Sequence, residues 1–118
     1  MTTNYRVIYY ISPTNQKPAK DFIDSLEQVQ KSKIFRILQL FEEYGLQAII
    51  PHTKKLAGTP LWEIRILGKN NIRILYVSWQ KENILILHGF IKKRQKTPSR
   101  EIQTAINRLN DWAKKLDK

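Results

Sequence analysis

KKLAGTPLWEIRILGKNNIRILY, residues 54–76, decides how this chain is read. It carries two apolar runs, LWEIRIL and IRILYVSW (the second continuing to Trp79), each with an arginine among strand-forming residues. Branched and aromatic side chains favour extended backbone, and the intervening GKNN is short and turn-like, so Leu61–Leu67 and Ile72–Trp79 are expected to pair as strands. Side chains alternate along a strand, which puts Trp62, Ile64 and Ile66 on one face and Glu63 and Arg65 on the other. Arg73 keeps phase with Leu75 and Val77, which places it at the start of its strand, near the sheet rim. Cations held on strands form a fixed positive surface, of the kind a phosphate-bearing partner requires.

Outward from this pair the pattern continues. QKEN leads to a third strand over Ile84–Ile91, giving a β-meander. Upstream, Gln47–Pro60 reads as irregular, broken by Pro51, Gly58 and Pro60. Tyr5–Ile11 is β-rich and stops at Ser12-Pro13. Pro18 suits a first helical turn, with Phe22, Ile23 and Leu26 on one face. Ser32 is expected to cap a second helix carrying Ile34, Ile37, Leu38, Phe41 and Tyr44, and Gly45 to end it in a left-handed cap. Thr97 and Pro98 would open a final helix striped by Ile102, Ala105, Ile106, Leu109, Ala113 and Leu116. The order β-α-α-β-β-β-α implies an α+β fold. Its parts are a small antiparallel sheet, an N-terminal helical hairpin packed on one face and a C-terminal helix, with residues 1–118 as a single domain.

Composition narrows the function. Cysteine is absent, so disulfides and thiolate chemistry are excluded. No apolar run approaches the roughly 20 residues of a membrane span, and MTTNYRVIYY lacks a signal-peptide plan, so a cytosolic protein is expected. The net charge is +11, unevenly spread: residues 1–50 hold 6 Lys/Arg against 5 Asp/Glu, residues 51–118 hold 15 against 5. Such a field suits nucleic acid, where each phosphate contact releases condensed counterions. An anionic membrane is disfavoured, because no lysine-rich helix carries a bulky apolar face.

His52 and His88 are far apart and no carboxylates have ligand spacing, so neither a metal nor a bound cofactor is expected. RNA cleavage suits that restriction, since the ribose 2′-hydroxyl is itself the nucleophile. Arg65 and Arg73 would neutralise the phosphorane, because guanidinium donates in a fork to phosphate oxygens. Glu63, or a lysine of depressed pKa, could take the 2′ proton; Lys93 or His88 could protonate the leaving oxygen. Lys54, Lys55, Lys92 and Lys96 would hold flanking backbone. Bland readings stand beside these: solvated cations, a Glu63–Arg65 surface pair, and His88 packed in phase with Ile84, Ile86 and Phe90. Trp62 and Tyr76 read as core rather than as stacking platforms.

The same residues carry a resemblance. K-L-x-G-x-P-L-W-E-I-R (Lys55–Arg65), I-R-I-L-Y (Ile72–Tyr76) and L-H-G-F-x-K-K-x-x-K-T-P-x-x-E-I-x-x-A (Leu87–Ala105) are similar to the phage-derived, HigB-like branch of the RelE/ParE toxin superfamily. KPAKDFIDSL at Lys17–Leu26 matches too. The resemblance implies the toxin of a type II toxin–antitoxin pair that cuts messenger RNA, usually on the ribosome. It also implies a small helix-turn-helix antitoxin as partner. Arg65 matches a basic residue of the second strand in RelE-like nucleases, Arg73 the arginine opening the next strand, and Lys92 or Lys93 a basic residue after the last. Glu63 departs from the RelE pattern, which has lysine there, and no tyrosine follows KKRQK. ParE-like relatives poison DNA gyrase without cutting RNA, which leaves that activity, or an inert nucleic-acid-binding module, as the alternative.

Overall fold

The computed structural model describes residues 5–68, 71–93 and 95–116; Lys69 and Asn70 of the GKNN turn and Arg94 of KKRQK lie outside them. Strand β1 (Arg6–Tyr9) leads to helices α1 (Pro18–Asp24), α2 (Gln28–Tyr44) and the short α3 (Leu46–Ile49). After one 3-10 turn come β2 (Thr53–Lys55), β3 (Trp62–Ile66), β4 (Ile72–Trp79), β5 (Asn83–Ile91) and α4 (Ser99–Leu116). The fold is α+β, as expected, with one five-stranded sheet in the order β1-β5-β4-β3-β2. The meander β3-β4-β5 is antiparallel, but β1 joins β5 in parallel, so the sheet is mixed. A parallel partner requires a long crossover, and everything between β1 and β5 supplies it.

Both faces of the sheet are covered, which explains why β4 reads as a continuous apolar run: all six residues Ile72–Val77 are buried. Ile64, Ile66, Ile74 and Ile86 pack with Ile23, Ile34 and Phe41 of the α1–α2 hairpin. Leu75, Val77, Leu85 and Phe90 pack on the opposite face with Ala105 and the apolar stripe of α4. Each Ile, Leu, Val or Phe among them contributes about 1.5–3 kcal/mol when fully buried. Gly89 lets α1 approach closely, since a Cβ there would lie 2.5 Å from the Phe22 ring.

Local chemistry departs from expectation at several points. Helix α2 begins at Gln28 rather than at a Ser32 cap, so Ser32 sits inside the first turns. Gly45 ends α2 at φ 87° and ψ −170°, a positive-φ extended conformation rather than the left-handed one, and only glycine fits it easily. Gln47–Pro60, expected to be irregular, contains α3, the 3-10 turn and β2. Helix α4 starts after Pro98, and the Thr97 hydroxyl goes to Glu63 instead of capping it. In β5, His88 pairs with Leu75 while Ile86 pairs with Tyr76, leaving Leu87 as the extra residue of a bulge. A bulge re-aims side chains. It moves His88 and Phe90 out of phase with Ile84 and Ile86 and onto the α4 face.

Candidate nucleic-acid interface

Strands β3 and β4 place Arg65 directly opposite Arg73 in the antiparallel register. Directly opposed residues share a face, with Cβ atoms about 5 Å apart. Arg65 is exposed and Arg73 is 4% exposed. Both line an open hollow of about 500 Å³, together with Asn71, Lys92, Lys93 and Gln95. Strand β5 ends just before Lys92, whose backbone N–H donates to Asn71 O at 2.6 Å. That bond fastens the exit of β5 to the start of β4 and turns the Lys92–Lys93 pair towards the arginines.

Glu63 lies beneath them, 1% exposed. Its Oε1 is 3.3 Å from Arg73 Nε, and its Oε2 accepts the Thr97 hydroxyl at 2.6 Å. The Arg73 Nε–H is not aimed well enough at the carboxylate for a hydrogen bond, so the pair is held by charge; Arg73 Nη1 donates to Ile72 O at 3.1 Å. Burial lowers the Arg73 pKa, Glu63 opposes that, and Arg65 lowers it further. Lys92 is also pushed down, first by burial; Glu63 opposes, while Arg73, Arg65 and Lys54 add to the depression. The Lys92 ammonium therefore sits in the field of three other cations, an arrangement suited to a polyanion.

The remaining candidates divide. Lys54 pairs across from Glu63, on the same face as the hollow. Lys55 is on the other phase and its Nζ donates to Thr59 O, tying it to its own turn. Lys96 is exposed and does not line the hollow. His88 is held away from it. Its Nδ1 lies 3.2 Å from Arg108 Nη1, which can only donate, so the network assigns the proton to Nε2, which donates to Glu101 Oε1 at 2.9 Å. Burial lowers the His88 pKa, Glu101 opposes this, and Arg108 adds to the lowering. Both ring nitrogens are engaged. Trp62 and Tyr76 pack on the hairpin side.

Thr97, Asn71 and Gln95 are parts of the site that the sequence alone did not suggest. Thr97 is 34 residues from the carboxylate it holds, a distance no local pattern reveals. Among the described residues no group of three or more His, Cys, Asp or Glu could hold a metal ion. None of their helices is long and apolar enough to cross a membrane.

A family model described as Phage derived protein Gp49-like (DUF891) matches residues 21–110. That span runs from α1 to within α4 and includes every residue of the hollow. The chain belongs to this phage-derived family, a toxin-like family of the RelE/HigB type. A comparison with curated proteins found no match.

Proposed function

We propose that this chain is the toxin of a type II toxin–antitoxin pair, a metal-independent endoribonuclease that cuts messenger RNA on the ribosome in the cytoplasm. The observation that carries the reading is the pairing of Arg65 with Arg73 across adjacent strands at a hollow that also receives Lys92 and Lys93. The toxin-like family supports it, and supports a small helix-turn-helix antitoxin as partner.

The chemistry is a transesterification. The 2′-oxygen attacks phosphorus, the bond from phosphorus to the 5′-oxygen breaks, and the products are a 2′,3′-cyclic phosphate and a 5′-hydroxyl. Arg65 and Arg73 bind the non-bridging oxygens and stabilise the phosphorane charge. Burial and its cationic neighbours raise the neutral fraction of Lys92, which accepts the 2′ proton. Lys93 returns a proton to the leaving 5′-oxygen. Solvent resets both amines. Glu63 does not line the hollow, and Arg73 and Thr97 occupy its two oxygens, which keeps it from the ribose. Its role is to position Arg73, with Thr97 as its own tether. His88 takes no part, because Glu101 and Arg108 occupy its ring nitrogens.

Induction of the wild-type chain in a growing culture tests this. Transcripts fragmented within minutes, with 5′-hydroxyl ends, are the expected result. Intact transcripts together with a DNA-damage response would overturn it in favour of gyrase poisoning.

A further inference from the structure

A second cleft opens on the other side of Arg65. Strand β2 pairs with β3 only as far as Ile64, so the outer edge of β3 beyond it faces α2 instead of another strand. Between them lies a groove of about 400 Å³. Its α2 wall carries Lys33, Arg36 and Leu40, which recur at one-turn spacing and so form a single stripe. Arg65 lines both this groove and the hollow, joining the two. The floor is apolar, with Ile37 and Ile66 buried and Leu67 exposed. Among the described residues no carboxylate lines it. Lys33 Nζ donates one of its hydrogens to Leu67 O at 3.1 Å, which ties this α2 side chain to the backbone just after β3.

From this geometry we infer that the α2–β3 groove binds the single-stranded RNA flanking the cleaved link, with Lys33 and Arg36 on its phosphates and the apolar floor under its riboses and bases. The inference rests on the reading of the hollow as a phosphate grip. Charge complementarity and continuity through Arg65 favour a strand that leaves the hollow over the β3 edge. Only a single strand has unpaired bases free to lie on the apolar floor. The groove lengthens the footprint and adds affinity without touching the reacting atoms.

The test uses fluorescent, fully 2′-O-methylated oligonucleotides, which cannot be cut, titrated with the full chain over a range of salt. A trimer reports the hollow and a decamer reports hollow plus groove. Lys33→Ala/Arg36→Ala changes exposed helix positions and is expected to fold normally. For single strands, log K falls with log salt by about 0.7 per phosphate contact, so the double variant should flatten the decamer slope by about 1.4. It should also weaken decamer binding about tenfold while leaving trimer binding unchanged. An unchanged decamer, an equal loss for trimer and decamer, or equal binding of a ten-base-pair duplex would each overturn the groove. Failure of the underlying reading looks different: trimer binding and cleavage would both be indifferent to Lys92→Ala, and the groove would fall with it.

Discussion

Two polar clusters lie on the same face of the sheet and are built from similar parts. One joins Glu63, Arg73 and Thr97; the other joins Glu101, His88 and Arg108. Each sets a carboxylate beside a basic side chain carried on β4 or β5. The difference is not burial, since the His88–Glu101 pair is the more exposed of the two, but what the basic group meets. Helix α4 supplies both Glu101 and Arg108, so every polar atom of the His88 ring is satisfied from within. The first cluster lies at the start of β4, where Arg73 faces a hollow shared with Arg65, Lys92 and Lys93. A basic group beside a carboxylate is therefore no evidence of chemistry. An exit towards other cations is what separates Arg73 from His88.

The sharpest way to break that comparison is to remove one member from each cluster. Arg73→Ala is expected to lower transcript cleavage by about two to three orders of magnitude, the usual scale for losing a transition-state donor. His88→Gln should leave cleavage within about threefold of wild type. Rates from matched inductions decide it, and a comparable loss in both would erase the distinction.

Stability should separate the clusters less widely. Glu63→Gln leaves the Arg73 guanidinium buried without its counter-charge, a change that typically costs about 3–5 kcal/mol. Tm should fall by roughly ten degrees or more, at about 4 °C per kcal/mol for a chain of this size. A shift of only a degree or two would mean that Arg73 needs no carboxylate beneath it.

The pH response sharpens the contrast. Burial depresses the His88 pKa, so the unfolded chain takes up that proton first as pH falls. Its stabilising contribution is fully present above the ordinary imidazole value of about 6.5 and is lost as pH drops through that value towards the lower folded one. Melting temperatures between pH 7.5 and 5.5 should decline in the wild type and decline less in His88→Gln. Equal slopes would show that His88 does not titrate differently on folding.

The smallest effect lies at the β4–β5 turn, where Gln80 and Lys81 hold φ of 50° and 48°. Lys81→Gly should raise stability by about 0.5–1 kcal/mol, since relief of roughly 1–2 kcal/mol of left-handed strain exceeds the entropic cost of glycine. A lower Tm would contradict it.

The meander was legible because its strands are dense in branched residues and bounded by turn-formers, and the α4 stripe because its period is helical. The parallel seat of β1 was not, since pairing partners far apart in sequence leave no local trace. The bulge at Leu87 also escaped, and with it the face of His88: one extra residue inverts an alternation without altering composition. Arg65 and Arg73 could be singled out from their strands, but their opposition needed the register. Thr97 looked like a helix cap because capping and carboxylate binding require the same hydroxyl. Lys33 and Arg36 were hidden by charge balance, since they belong to the near-neutral half of the sequence and reach the basic half only in the fold.

Arg65→Ala gives the most direct test, because Arg65 is exposed and its loss should spare the core. Transcript 5′-hydroxyl ends would be mapped after induction of the wild type and the variant, with the Tm of each purified protein measured alongside. Near-absence of those ends at an unchanged Tm is expected if facing guanidiniums grip the scissile phosphate. Wild-type fragmentation by folded Arg65→Ala would contradict it.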